Sequence, residues 1–254
     1  MIQTKLNIIG ALMLRDMRTR FGSSHLGYLM AILWPFSHLV IMASSLAYGR
    51  RFITTGGDPV VYAVTGILPY ILCLYPARMM GQAIETNRSL LLFPVVRAID
   101  IMISRALIEL FTASIVVVLL FSLAFMLSID LMPTNKYALV SGVLATVLLA
   151  ISFGFFNNIA SSVFKMWHIV FIFSIIIMYF SSGVIINISV FPHEIQEIIS
   201  YNPLFQSVEW LRSAYYEDSY SEFLSKAYLV KLSMVLLFFG LMGERFLRGK
   251  LLSS

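Results

Sequence analysis

The chain of 254 residues is 59% hydrophobic and only 12% charged, where soluble domains carry about 25% charge. That leaves too little polar surface to cover a core of this size, and the mean hydropathy of +0.86 agrees, so a soluble globular protein is excluded and an integral membrane protein is indicated. The net charge of +5 becomes a question of membrane sidedness rather than of nucleic-acid binding, and a single cysteine, Cys73, excludes intrachain disulfides and cysteine metal sites.

The first apolar run, Ile8–Leu14, is followed by Arg15-Asp16-Met17-Arg18 rather than by a small-residue cleavage site, which argues against a signal peptide. At helical period Leu6, Ile9, Met13 and Met17 share a stripe, with Asn7, Arg15 and Arg18 opposite. This pattern predicts an amphipathic interfacial helix over residues 1–28. Arg20 lies near the apolar stripe and must snorkel or meet an anion. Arg15 and Arg18, three apart, either hold an anion between them or serve only to orient the protein.

A hydrocarbon core of about 30 Å needs roughly 20 apolar helical residues. Charge-poor runs predict six spans, at 29–48, 59–80, 106–129, 137–164, 166–187 and 228–243. With the N-terminus inside, 12 of the 18 lysines and arginines fall on the cytoplasmic side. That satisfies the positive-inside rule and leaves both termini cytoplasmic. Arg50 and Arg51 run against it locally.

Between the second and third spans, residues 81–100 predict a cytoplasmic helix with a partner-facing surface. Glu85, Asn87 and Arg88 are its docking polar residues, and Leu90–Phe93 its apolar anchorage. Arg105 and Glu109 stand at i, i+4, the spacing of a structural ion pair. After the fifth span Ser181-Ser182-Gly183 interrupts the apolar run, which resumes to Phe191 before Pro192. A re-entrant helix pair within 188–227 is predicted, because irregular backbone at membrane depth needs protein around it. An ordinary tilted span followed by an external loop is the alternative. The segment is acidic, carrying Glu194, Glu197, Glu209, Glu217, Asp218 and Glu222 against Arg212 and Lys226, as expected of an external cap that meets a partner.

Most catalytic chemistry is missing. No G-x-x-x-x-G-K-[ST] loop exists to cradle phosphates. His25, His38, His168 and His193 lack metal-ligand spacing. A rhomboid-type protease would need a G-x-S-G turn, but Phe180 precedes Ser181-Ser182-Gly183, and the last span lacks a histidine. No Asp, Glu, Lys or Arg stands in a span core, as ion-coupled transport would require. Active transport would therefore draw its energy from another subunit, while a passive channel or scaffold stays open.

Arg15-Asp16-Met17-Arg18-Thr19-Arg20-Phe21, Leu26-Gly27-Tyr28-Leu29 and Trp34-Pro35 resemble the N-terminal signature of polysaccharide-exporting ABC permeases. Met30 stands where that family usually has Trp. Pro94-Val95, Ile99-Asp100 and Ser104–Glu109 are similar to the capsule-exporter segment after the coupling helix. Asn202-Pro203-Leu204 with Glu209 and Arg212 resembles the N-P-[LF] … E-x-x-R stretch before the last span. The resemblance covers nearly the whole chain in order. It implies an all-α membrane protein, a single transmembrane domain over 1–254 in the bacterial inner membrane. Members have six spans, an N-terminal interfacial helix, a re-entrant element after the fifth span and cytoplasmic termini. It implies a homodimer with two copies of a separate ATPase that holds ATP and Mg, no cofactor in this chain, and periplasmic adaptor and outer-membrane export partners. The cargo would be lipid-linked capsular polysaccharide, or O-antigen, teichoic acid or another glycolipid, and the lipid's phosphate would give Arg15, Arg18 and Arg20 an anion. A sugar path needs aromatic rings, and Trp34, Tyr62, Tyr70, Tyr75, Tyr179 and Phe180 are its candidates. Ser182, Gly183, Asn202, Pro203, Glu209 and Arg212, with Arg105 and Glu109, read as structural.

Overall fold

The structure, a computed structural model, describes residues 2–21, 25–49, 58–216 and 222–247. Among the described residues the chain is helical, with no strand. Helix α1 runs Ile2–Phe21 and α2 His25–Tyr48, so the predicted element 1–28 is two helices. The second span comprises α3 (Pro59–Pro69), a π-helical turn (Tyr70–Leu74) and α4 (Tyr75–Met80). Pro76 cannot donate to Leu72, four residues back, which accounts for the wider register here. The rest are α5 (Ala83–Thr86), α6 (Ala98–Met126), α7 (Lys136–Val163), α8 (Trp167–Phe180), α9 (His193–Ser200), α10 (Pro203–Arg212) and α11 (Lys226–Phe246).

Five of these stretches are long and apolar enough to cross a membrane: within α2, α3–α4, α6, α7 and α11. The predicted fifth span, 166–187, is shorter. Helix α8 has 14 residues, about 21 Å of rise, which falls short of a full hydrocarbon core. It stops where Gly183 takes φ +74°, a left-handed conformation that L side chains resist. The predicted third span, 106–129, begins earlier, at Ala98, because Asp100 accepts the Arg97 N–H at 3.1 Å and caps α6.

The core is the 59–80 helix, walled by α2, α6, α7 and α10. Its inner face, including Ile67, Ile71, Cys73 and Leu74, is fully buried. Helices α7 and α11 pack most closely, along Gly240 and Gly243. A Cβ at Gly240 would stand 2.9 Å from the Phe155 backbone, and one at Gly243 would overlap Ile159. Small residues supply such contact where apolar burial distinguishes little between lipid and protein.

Candidate functional site

Three groups of residues stand out, the first where α1, the α5 segment and α6 meet. The predicted stripe of α1 is only partly packed, with Ile9, Met13 and Met17 half-buried. Leu6 is 57% exposed, while Ile8, Leu12 and Asp16 face the protein, with Leu12 against Ala83 and Ile101. Charges close both ends of this face. Lys5 Nζ donates to both Asp100 carboxylate oxygens at 2.9 and 2.7 Å. Arg105 Nη1 donates to Asp16 Oδ2 at 2.6 Å, and its Nε lies 2.9 Å from Glu109 Oε1. The expected Arg105–Glu109 pair is present, and Asp16 makes it a buried triad. Sequence reading missed Asp16, although it sits inside the arginine motif; its one signal is an acid among basic residues.

The single helix predicted over residues 81–100 is broken into shorter pieces, with α6 beginning at Ala98. After α5 the chain tightens into a 3-10 turn over Arg88–Leu92, and Phe93–Val96 turn back towards α6. Asn87, expected at the docking surface, is buried: its Oδ1 accepts from Arg15 Nη1 at 3.0 Å and its Nδ2 donates to Ala83 O at 3.1 Å. Arg15 therefore has a neutral amide partner, whereas Arg18 is exposed; the Arg20 side chain lies outside the described residues. Glu85 and Arg88 do face outward, beside Leu92 (80% exposed) and Phe93 (60%). From α7, Asn158 holds the segment, accepting from Ile84 N–H at 3.0 Å and donating to the Met80 carbonyl.

A second group surrounds Arg212, at the other end of α3. Its Nη2 donates to Gly183 O at 2.8 Å, its Nη1 lies 3.3 Å from Glu209 Oε1, and its guanidinium stacks 3.8 Å over the Tyr62 ring. The Tyr62 hydroxyl donates to the same Gly183 carbonyl at 3.2 Å. A Cβ on Gly66 would come within 3.1 Å of Arg212 Nη2, so the small residue admits the guanidinium. Tyr62, read from sequence as a path residue, is thus buried beneath an arginine. Asn202 caps α10 by accepting from Leu204 N–H at 2.9 Å, and its Nδ2 donates to Met178 O and Ser181 Oγ. Ser182 donates to Tyr179 O at 2.6 Å, and Pro203 opens α10. Gln206, unremarked in the sequence, ties Ser200 O, Phe223 O and Ser225 N–H together. Helix α10 is therefore interior, and Glu209 and Arg212 are ionisable groups inside the bundle that span-by-span reading did not find. Glu217, Asp218 and Tyr220 lie outside the described residues.

The third group is aromatic. His38 of α2, Tyr70 of the π turn and Tyr179 of α8 form a ring cluster with centroids 5.3, 6.0 and 4.7 Å apart. The Tyr179 hydroxyl is 3.5 Å from His38 Nε2. Phe180 stacks edge-on against Tyr179 and is 66% exposed; Trp34, one turn before His38, is 71% exposed. Tyr75 lies one turn below Tyr70 and is half-buried. Sequence reading found both tyrosines but gave His38 no part in the path.

The chain is an all-helical bundle with several stretches long and apolar enough to cross a membrane, and over residues 8–216 it belongs to the ABC-2 type transporter family. It is 30% identical over 233 residues to the polysialic acid transport protein KpsM of Escherichia coli, covering 92% of this chain and 90% of that one. It is 26% identical over 252 residues to the capsule polysaccharide export inner-membrane protein CtrC of Neisseria meningitidis serogroup A (95% and 92%). To BexB of Haemophilus influenzae, also a capsule polysaccharide export inner-membrane protein, it is 23% identical over 251 residues (95% and 92%).

Proposed function

We propose that the chain is the inner-membrane permease of an ABC exporter of lipid-linked capsular polysaccharide. It works as a homodimer with two copies of a separate ATPase that binds ATP and Mg, and it hands its cargo to a periplasmic adaptor and outer-membrane proteins. The observation that carries this reading is the outward surface of Glu85, Arg88, Leu92 and Phe93. It mixes charge with apolar anchorage and is pinned from behind to α1, α6 and α7, as a force-bearing contact must be. Such contacts depend on a few anchors. A push on this surface reaches α1 through Asn87–Arg15 and α6 through Asp16–Arg105. A lone bundle of this size encloses no wide conduit, whereas two facing each other do. The exposed rings Trp34 and Phe180, backed by Tyr70, Tyr179 and Tyr75, then offer apolar faces and hydroxyls to a sugar chain. Arg18, exposed on α1, offers charge to a lipid phosphate at the cytoplasmic entrance, with both termini on that side. Substituting Glu85 and Arg88 together by alanine tests the reading. Export and permease-dependent stimulation of ATP hydrolysis should fall together while the protein stays in the membrane. Wild-type values for both would move the contact elsewhere. Capsular cargo, rather than O-antigen or teichoic acid, rests on the relatives named above and is tested by which surface polymer a deletion strain loses.

A further inference from the structure

Where the ends of α4 and α7 meet the start of α8, a narrow cleft is lined by Arg78, Gln82, Asn157, Ser161, Trp167 and His168. The Trp167 indole N–H donates to Asn157 Oδ1 at 2.9 Å. An indole nitrogen only donates, so the amide orientation is set and its NH2 is left facing elsewhere. Asn157 is 2% exposed, and its Nδ2 has no acceptor among the described residues. A buried donor left so is destabilising unless a ligand or water meets it. Gly81 lets α4 and α7 close on Asn157: a Cβ there would stand 2.8 Å from Asn157 Cβ and push the helices apart.

The rest of the lining has the same polarity. Arg78 and the Gln82 amide offer N–H donors, Ser161 a hydroxyl, His168 a ring nitrogen, and no lining residue is acidic. Arg78 is exposed at the mouth. The enclosed depth, about 10 Å³, has room for one oxygen-sized group. The cleft joins the last turns of two long apolar stretches to the first turn of α8, with exposed Lys165 between them. Tryptophan at such a junction marks the headgroup level of a bilayer.

We infer that this cleft binds the phosphate of a membrane lipid, one oxygen reaching Asn157 Nδ2 and the remaining charge resting on Arg78. The site is independent of the ATPase contact and of the arginines of α1. The same phosphate chemistry belongs to bulk anionic phospholipid and to a lipid-linked polymer, and the test separates them.

Purified full-length protein is exchanged into detergent with phosphatidylglycerol or phosphatidylcholine, and retained lipid is counted by native mass spectrometry. Phosphatidylglycerol should be retained in preference. Arg78→Gln, at an exposed position, and Asn157→Asp, which adds a repelling carboxylate while keeping the indole bond, should each lower its retention about tenfold, the loss of one charge-assisted bond. Arg97→Gln, an exposed arginine away from the cleft, should not. Equal retention of both lipids, or wild-type retention by Arg78→Gln, overturns the inference. Displacement by excess inorganic phosphate would show that the phosphate alone is read; its failure would show that the glycerolipid is needed. Loss of polymer export in Arg78→Gln identifies the polymer's lipid as the occupant, and retained export with lost phosphatidylglycerol identifies bulk lipid. Because binding is read on the permease alone, it stands or falls separately from the export function.

Discussion

Among the described residues two arginines are buried, Arg105 and Arg212, and the company each keeps differs. Arg105 has carboxylates on two sides, Asp16 from 89 residues away and Glu109 one turn on, and joins two helices whose shared apolar seam is small, centred on Leu12 and Ile101. Arg212 has one carboxylate, at the longer distance of 3.3 Å, with a backbone carbonyl and a tyrosine ring making up its coordination. The first is a strut of one cation held between two carboxylates, joining elements that must move together. The second is a clamp that holds one irregular turn of backbone shut. Paired charge suits the strut, because its strength survives small shifts of either helix. Directed bonds to a carbonyl suit the clamp, because they fail as soon as the turn opens.

Removing Arg105 gives the largest expected effect. Arg105→Gln leaves Asp16 and Glu109 buried without their cation, and breaking a buried pair from one side costs about 3–5 kcal/mol. The variant should lose most of its folded yield in membranes or melt far below the wild type in detergent. A normal melting temperature would demote the triad to a surface feature. Arg212→Gln removes charged hydrogen bonds worth about 1.5–3 kcal/mol each. It should increase protease cutting between Ser181 and Pro192 more than elsewhere, which distinguishes a clamp from a strut. Next, Gly183→Ala introduces a side chain at φ +74°, costing about 1–2 kcal/mol, and cleavage should appear in the same segment. If Arg212→Gln and Gly183→Ala sensitise different segments, the clamp is wrongly placed. The smallest stability effect belongs to Asn87→Ala, about 1 kcal/mol for the bond from Arg15. Its signature should be functional, with ATP hydrolysis persisting while export falls, because α1 no longer follows the docking segment. Unchanged export would leave Asp16–Arg105 as the sole link.

How much of this was legible depends on the range of the interaction. The helical class and five long stretches follow from charge-free runs, because lipid forbids unpaired backbone and charge along a whole segment. The Arg105–Glu109 pair was legible because it lies within two turns of one helix. The break at Ser181-Ser182-Gly183 was legible from its composition, and the N-P and E-x-x-R motifs from resemblance.

Tertiary structure decided the rest. Which face of α1 is packed depended on where Asp100 and Arg105 stand in α6, a separation no local period carries. Asn87 reads as a polar surface residue until Arg15, 72 residues earlier, reaches it. Residues 203–212 read as part of a re-entrant segment, or of an external loop, and only the closing of α3, α7 and α11 around them makes α10 interior. Only then do Glu209 and Arg212 become interior, because a charge can sit there once its partners, Gly183 O and the Tyr62 ring, are in place. Hydropathy measures what each segment does with lipid; what polar residues do with one another is settled by the packing that brings distant turns together.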